Sequence, residues 1–260
     1  ENIRSERTHI ASDDKLRGTY SNNAAGTIEG PERVAGTTEH EFNPEEVAII
    51  LPLLGFTNST GTFSVNDSAL PERYMTIDRE EKVFTCSGMQ AARATIRSSP
   101  GVAWRWVLDW LGKQETIGNA GTFPSLSNLN ETPPLALHHA AITLLGSSRV
   151  VDDVSITIDN VVEHRSFNAD YHTPERHGRI ITVEFMLPYE GNTDLLRVPV
   201  AGDDGIINWT YGNYSSVWTF GNLQFPRGAV EKTKGSKRML SISGVARQTG
   251  ATKELVIVHD

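Results

Sequence analysis

Cysteine is nearly absent from this chain. Cys86 stands alone in 260 residues, so neither an internal disulfide framework nor a cysteine-based zinc cluster can form. That usage fits synthesis in a reducing cytosol. Five Asn-x-Ser/Thr sequons, at Asn58, Asn66, Asn130, Asn208 and Asn213, point instead toward a glycosylated surface. Such triplets arise by chance in loops rich in Asn and Thr, so the cysteine count carries more weight. Long apolar runs are missing too. The most apolar stretch, VAIILPLLGF at 47–56, contains a proline and falls well short of the roughly eighteen residues of a membrane helix. Basic clusters are also lacking. Lys and Arg number 24 against 32 Asp and Glu, a net charge of −8, and the cations are scattered. A protein that grips nucleic acid needs a basic stripe to displace counterions from phosphate. An acidic surface argues against gripping DNA but not against letting DNA slide past. Finally, no G-x-S-x-G elbow, phosphate loop or dinucleotide fingerprint occurs, so no catalytic residue is assigned and an enzyme is not expected.

What the chain does have is period-two alternation, the mark of half-buried strands. Val154, Ile156 and Ile158 alternate with Ser155, Thr157 and Asp159; Ile181, Val183, Phe185 and Leu187 alternate with Ile180, Thr182, Glu184 and Met186. Further strands are expected at 24–29, 36–42, 73–78, 82–97, 102–112, 215–225, 237–247 and 253–259. One helix is predicted over 43–54, with Asn43 as cap, Pro44 at the first helical position, acidic residues in the first turn and Gly55 as the stop. NTDLL at 192–196 is a second, weaker helix start. Polar segments at 57–71, 119–134 and 163–178 lack periodicity and read either as arms or binding loops or as surface excursions.

The residues that invite a chemical reading each have a plainer one. Cys86 sits inside a strand pattern, where a lone cysteine is a small core residue. His164, His172 and His177, near Glu163, Asp170 and Glu175, lack metal-ligand spacing and read as a polar loop. His138 and His139 are expected on opposite sides of a strand. Asp152-Asp153 and Asp203-Asp204-Gly205 read as turns rather than calcium ligands. Trp104, Trp106 and Trp110 share one strand face, which suits a core or a subunit interface better than a stacking platform for bases or sugars. No cofactor or metal is assigned.

The chain also repeats itself in order. PERVAGTTEHEF at 31–42 matches PERHGRIITVEF at 174–185, and TIEG at 27–30 matches TIDN at 157–160. VFT at 83–85 matches VWT at 217–219, and LGKQ at 111–114 matches VARQ at 245–248. A third Pro-Glu-Arg at 71–73 lacks this context, so the ordered series, not the tripeptide, carries the signal. The series divides the chain into 1–134 and 135–260, two halves packed as one unit.

This order of elements resembles the tail tube (major tail) proteins of long-tailed bacteriophages. The resemblance runs from NIRSERTH (2–9) and GTIEG through NPEEVAIILPLLG to FTCSGMQAARATIRSSPGVAWRWVLDWLGKQ (84–114). It continues through VSITIDN, GRIITVEF and WTFGNLQFPRGAVEK (218–232) to SISGVARQTG (241–250). It implies a mainly β fold, a sandwich or barrel-like subunit with one or two short flanking helices. It also implies rings that stack into the tube of the virion tail, alongside other tail proteins. DNA would pass through the lumen without specific binding, and the protein would be made in the host cytoplasm. Family rings are commonly six-fold with one tube domain per chain. Two halves in one chain therefore predict a trimer of pseudo-six-fold symmetry, with a hexamer as the alternative. The rival function is a β-sandwich carbohydrate- or receptor-binding module, which exposed tryptophans in a groove would favour.

Overall fold

The computed structural model describes residues 3–11, 27–79, 82–119, 132–165, 171–197 and 202–260. Its first sheet draws on both halves of the chain. From the first come β1 (Arg4–Ala11), β2 (Thr27–Glu41), β5 (Arg73–Arg79), β6 (Lys82–Ser98), β7 (Arg105–Gly112) and β8 (Gln114–Asn119). From the second come β11 (Asp153–Asp159), β14 (Ile180–Pro188), β17 (Val230–Lys234) and β18 (Lys237–Ala246). The main path runs β1-β2-β7-β6-β11-β14-β18-β17, and every neighbouring pair is antiparallel. β6 is 17 residues long. Its C-terminal part lies in this path, while its N-terminal part leaves it to pair with β5 and β8.

The path is two successive runs of one connectivity. In β1-β2-β7-β6 the order by chain position is first, second, fourth, third, and β11-β14-β18-β17 has the same order. In each run a helical turn follows the second strand: α1 (Pro44–Leu53) after β2, and a 3-10 turn at Thr193–Arg197 after β14.

A second sheet covers one face of the first. Its strands are β3 (Phe56–Ser59), β4 (Thr62–Val65), β9 (Ala140–Leu144), β10 (Ser147–Arg149), β15 (Asp203–Tyr211), β16 (Tyr214–Leu223) and β19 (Leu255–His259), in the order β10-β9-β15-β16-β19-β4-β3. The inward residues of both sheets belong to one continuous apolar cluster. Its centre is aromatic. Phe42 sits 5.2 Å from Trp106, 5.5 Å from Trp209 and 6.1 Å from Trp218, ring centre to ring centre. Such tilted and edge-on contacts suit the ring quadrupoles.

Several expectations change. Segment 57–71 contains the β3–β4 hairpin, and 163–178 contains much of a separate hairpin, β12 (Val162–Arg165) with β13 (Thr173–Arg176). These strands are about four residues long, too short to display a period. Residues 120–131 of the third polar segment lie outside the described residues. His138 and His139 lie on a 3-10 turn, Leu137–His139, rather than a strand, with their rings 4.1 Å apart. Asp203-Asp204-Gly205 opens β15 at a register shift instead of forming a free-standing turn. The helix stands as expected, with Gly55 at φ +80 ending it, but Asn43 makes no side-chain cap bond. The two Pro-Glu-Arg markers occupy different places: Pro31-Glu32-Arg33 lies within β2, whereas Pro174-Glu175-Arg176 lies on β13.

Candidate functional surface

Among the described residues, strand alternation leaves the far face of the first sheet uncovered by the second. Trp106, Leu108 and Trp110 of β7 point to the core, so Arg105, Val107, Asp109 and Leu111 point away. Register carries that parity across the sheet. One row reads Glu41, Arg105, Arg97, Ser155, Glu184, Ser243 across β2, β7, β6, β11, β14 and β18. Another reads Thr37, Asp109, Arg93, Asp159, Ile180. Arg93 thus stands between two aspartates on neighbouring strands.

Three cations on this face have carboxylate partners at contact distance. Arg33 of β2 reaches Glu6 of β1 at 2.7 Å, and Arg105 reaches Glu39 at 3.0 Å. Thr37 Oγ1 donates to Asp109 at 2.9 Å. Near the β17 side, Lys234 bridges Asp152 and Asp153 at 2.7 and 2.6 Å, and these bonds raise the lysine pKa. A groove on the same face is lined by three cations, Arg97, Arg105 and Lys232, and three carboxylates, Glu39, Asp153 and Glu184. Its lining residues come from β2, β7, β6, β11, β14, β18 and β17.

Among the described residues, the sheet ends in two unpartnered edges, the outer sides of β1 and β17. All five residues of β17 are exposed. The path holds eight strands that alternate in direction, so its two outermost strands run opposite to each other.

A buried polar node stands where the two runs meet. Asn160, fully buried after β11, donates from Nδ2 to the carbonyls of Leu54 (3.3 Å) and Ala91 (3.1 Å) and accepts from Arg179 Nε at 3.1 Å. Arg179 also donates to the carbonyls of Leu54, Gly55 and Asn66. Burial pushes its pKa down to about 10, and the nearby Arg176 guanidinium pushes the same way. The carbonyls at the end of α1 carry the negative pole of the helix dipole, which favours this cation. Nothing in the local sequence marks Asn160 and Arg179 as partners, because their acceptors come from 69 to 125 residues away.

Of the residues singled out from sequence, Trp104, Trp106 and Trp110 are buried, as are the other two tryptophans, all at 0 to 6% exposure, and Cys86 is fully buried. No tryptophan is therefore available as a stacking platform. His164 and His172 come within 6.0 Å of each other, but His164 Nε2 is engaged by the Gly112 carbonyl at 2.9 Å. Burial pulls the His164 pKa down despite that bond. Asp170 is outside the described residues. Among the described residues, no group of three or more His, Cys, Asp or Glu side chains is placed to hold a metal ion.

A family model described as phage tail tube protein matches residues 7–246 of the chain. No curated protein matches it.

Proposed function

Because the chain belongs to the phage tail tube protein family, a structural component of the virion tail that assembles into a tube, we propose that three copies close one ring. In that ring the β17 edge of each copy pairs with the β1 edge of the next, and the open face of the first sheet lines the lumen. The single observation that carries this reading is the main sheet itself: an eight-strand antiparallel path of two like runs, uncapped at both edges among the described residues. Unpaired edges are templates for further pairing, and closure into a barrel removes them. An even number of strands lets β17 meet β1 antiparallel, so the alternation continues across the seam. The β6–β11 pairing then serves within the chain as β17–β1 serves between chains.

Size favours three copies over six. Three eight-strand paths give a barrel roughly 40–50 Å across its backbone, from strands about 4.8 Å apart and tilted in the usual way. Six paths would double that width. The repeated connectivity also supports an internal duplication, with halves near 1–134 and 135–260. Glu41 faces Arg105, and Glu184 faces Ser243. The offset of 134 between LGKQ and VARQ carries Arg105 to Met239, four residues from Ser243. That is two strand periods, so the facing of side chains is kept while the pairing has slipped.

In this reading the chain works as a conduit for DNA and catalyses no reaction. No helix among the described residues is long and apolar enough to cross a membrane. Image averages of assembled tubes, computed without imposed symmetry, test the ring. Three chains per ring with β17 beside β1 is the expected result, and six chains per ring would overturn it.

A further inference from the structure

The net charge of −8 suggests a lumen that repels DNA by its acidity. The open face suggests otherwise. Its groove carries cations and carboxylates in equal number, and Arg93 lies between Asp109 and Asp159 in register. Resting on the reading that this face lines the lumen, we propose that the duplex meets a charge-cancelled wall. Cations held beside carboxylates offer the phosphates neither a grip nor a field, and the surplus negative charge of the chain lies elsewhere on its surface.

Two length scales govern the effect. Neighbouring strands are about 4.8 Å apart, and residues on one face of a strand about 6.8 Å apart. Both are shorter than the Debye length of about 8 Å at physiological salt. Opposite charges interspersed on that scale cancel within one screening length of the wall. A phosphate passing beyond that distance meets little net potential. The pairing also removes the incentive to bind. The Arg105 and Arg33 guanidinium groups already have carboxylate partners at 3.0 and 2.7 Å. Contact with a phosphate would strand those carboxylates, so little is gained by releasing counterions from the duplex. A purely acidic wall would exclude DNA at low salt and a basic one would hold it; a cancelled wall does neither over a wide range of ionic strength.

The test uses assembled tubes and a short labelled duplex, with retention in pelleted tubes measured at about 50 and about 200 mM salt. Wild-type tubes are expected to change by less than about twofold. The double variant Glu39→Gln, Glu184→Gln keeps the three cations of the groove and leaves Asp153 as its one carboxylate. Each newly engaged phosphate contact gives about 3.5-fold over that salt range, so two contacts give roughly tenfold stronger retention at the lower salt. Glu184→Gln alone leaves the Arg105–Glu39 pair intact, and its smaller gain in retention serves if the double variant assembles poorly. Wild-type tubes that shut the duplex out at low salt and admit it at high salt would show an acidic wall and overturn the proposal. Variant tubes that behave as wild type, with images placing this face inward, would overturn it as well. If images place the other face inward, the choice of lumen face fails instead, and the two failures are thereby told apart.

Discussion

Asn160→Ala is the substitution whose cost can be worked out most fully from the structure. The side chain is fully buried, and its amide group makes three bonds to three separate parts of the fold. Truncation leaves the Ala91 carbonyl and Arg179 Nε without these partners, while the Leu54 carbonyl keeps only the longer 3.4 Å bond from Arg179 Nη2. A buried group that loses its partner costs about 1–3 kcal/mol, more where a charge is involved. The losses share one site and do not add in full, so a total of about 3–5 kcal/mol is expected. That is a large share of the roughly 5–15 kcal/mol that holds a typical domain folded. Urea unfolding of unassembled subunits reads it directly. With a slope of about 3 kcal/mol/M, the midpoint should fall by about 1–1.7 M. Ser243→Ala, on the open face of β18, is the control and should stay within about 0.5 kcal/mol of wild type. An Asn160→Ala loss below about 1 kcal/mol would refute the claim that the node joins the end of α1 to β6 and the start of β14.

Two further outcomes follow from close approach and from burial of histidine. A Cβ on Gly228 would run into the backbone of Leu196, with its carbonyl carbon 2.8 Å away, whereas one on Gly178 meets nothing within 4 Å. Gly228→Ala should therefore cost about 1–3 kcal/mol, and Gly178→Ala should leave the unfolding midpoint nearly unchanged. Burial lowers the pKa of both His164 and His259. As pH falls below the unfolded value of about 6.5, the unfolded chain takes up protons that the folded chain does not. The stability these residues contribute is thus full above about pH 6.5 and is lost as pH falls toward their lower folded values. Melting temperature measured between pH 8 and 5 should fall over that window and fall less steeply in His259→Gln; an unchanged slope in the variant would remove His259 from the account.

Strands that bury one face in the sandwich were legible from sequence because burial enforces alternation. β11 and β14 follow their Val/Ile pattern residue by residue, and the tryptophan face of β7 turned to the core as that pattern implies. The helix was legible from Pro44 and Gly55, which fix its two ends by backbone geometry alone. The hairpins β3–β4 and β12–β13 were not. Strands about four residues long show too few alternations to stand out from polar loops, and their partners, not their own sequence, hold them. The charged rows of the open face lay in plain view as single residues, yet no single strand reveals them. Arg93 is only an exposed arginine until register sets Asp109 on one side and Asp159 on the other.

The same dependence on register explains how the two halves of the proposed duplication can drift in sequence and still build one wall. A slip of one residue would turn every core side chain outward, whereas a slip of two or four keeps the inward set inward. The four-residue displacement between the β2–β7 and β14–β18 pairings is of the permitted kind. Core parity is thereby protected while individual cross-strand neighbours are free to change. Glu41 and Glu184 hold matching places in the two markers, yet Glu41 faces Arg105 and Glu184 faces Ser243. In the proposed duplication, charge cancellation on the open face is consequently not inherited pair by pair. It has to be re-established across the whole face, which is why removing carboxylates from both halves at once, at Glu39 and Glu184, probes the wall more sharply than removing either alone.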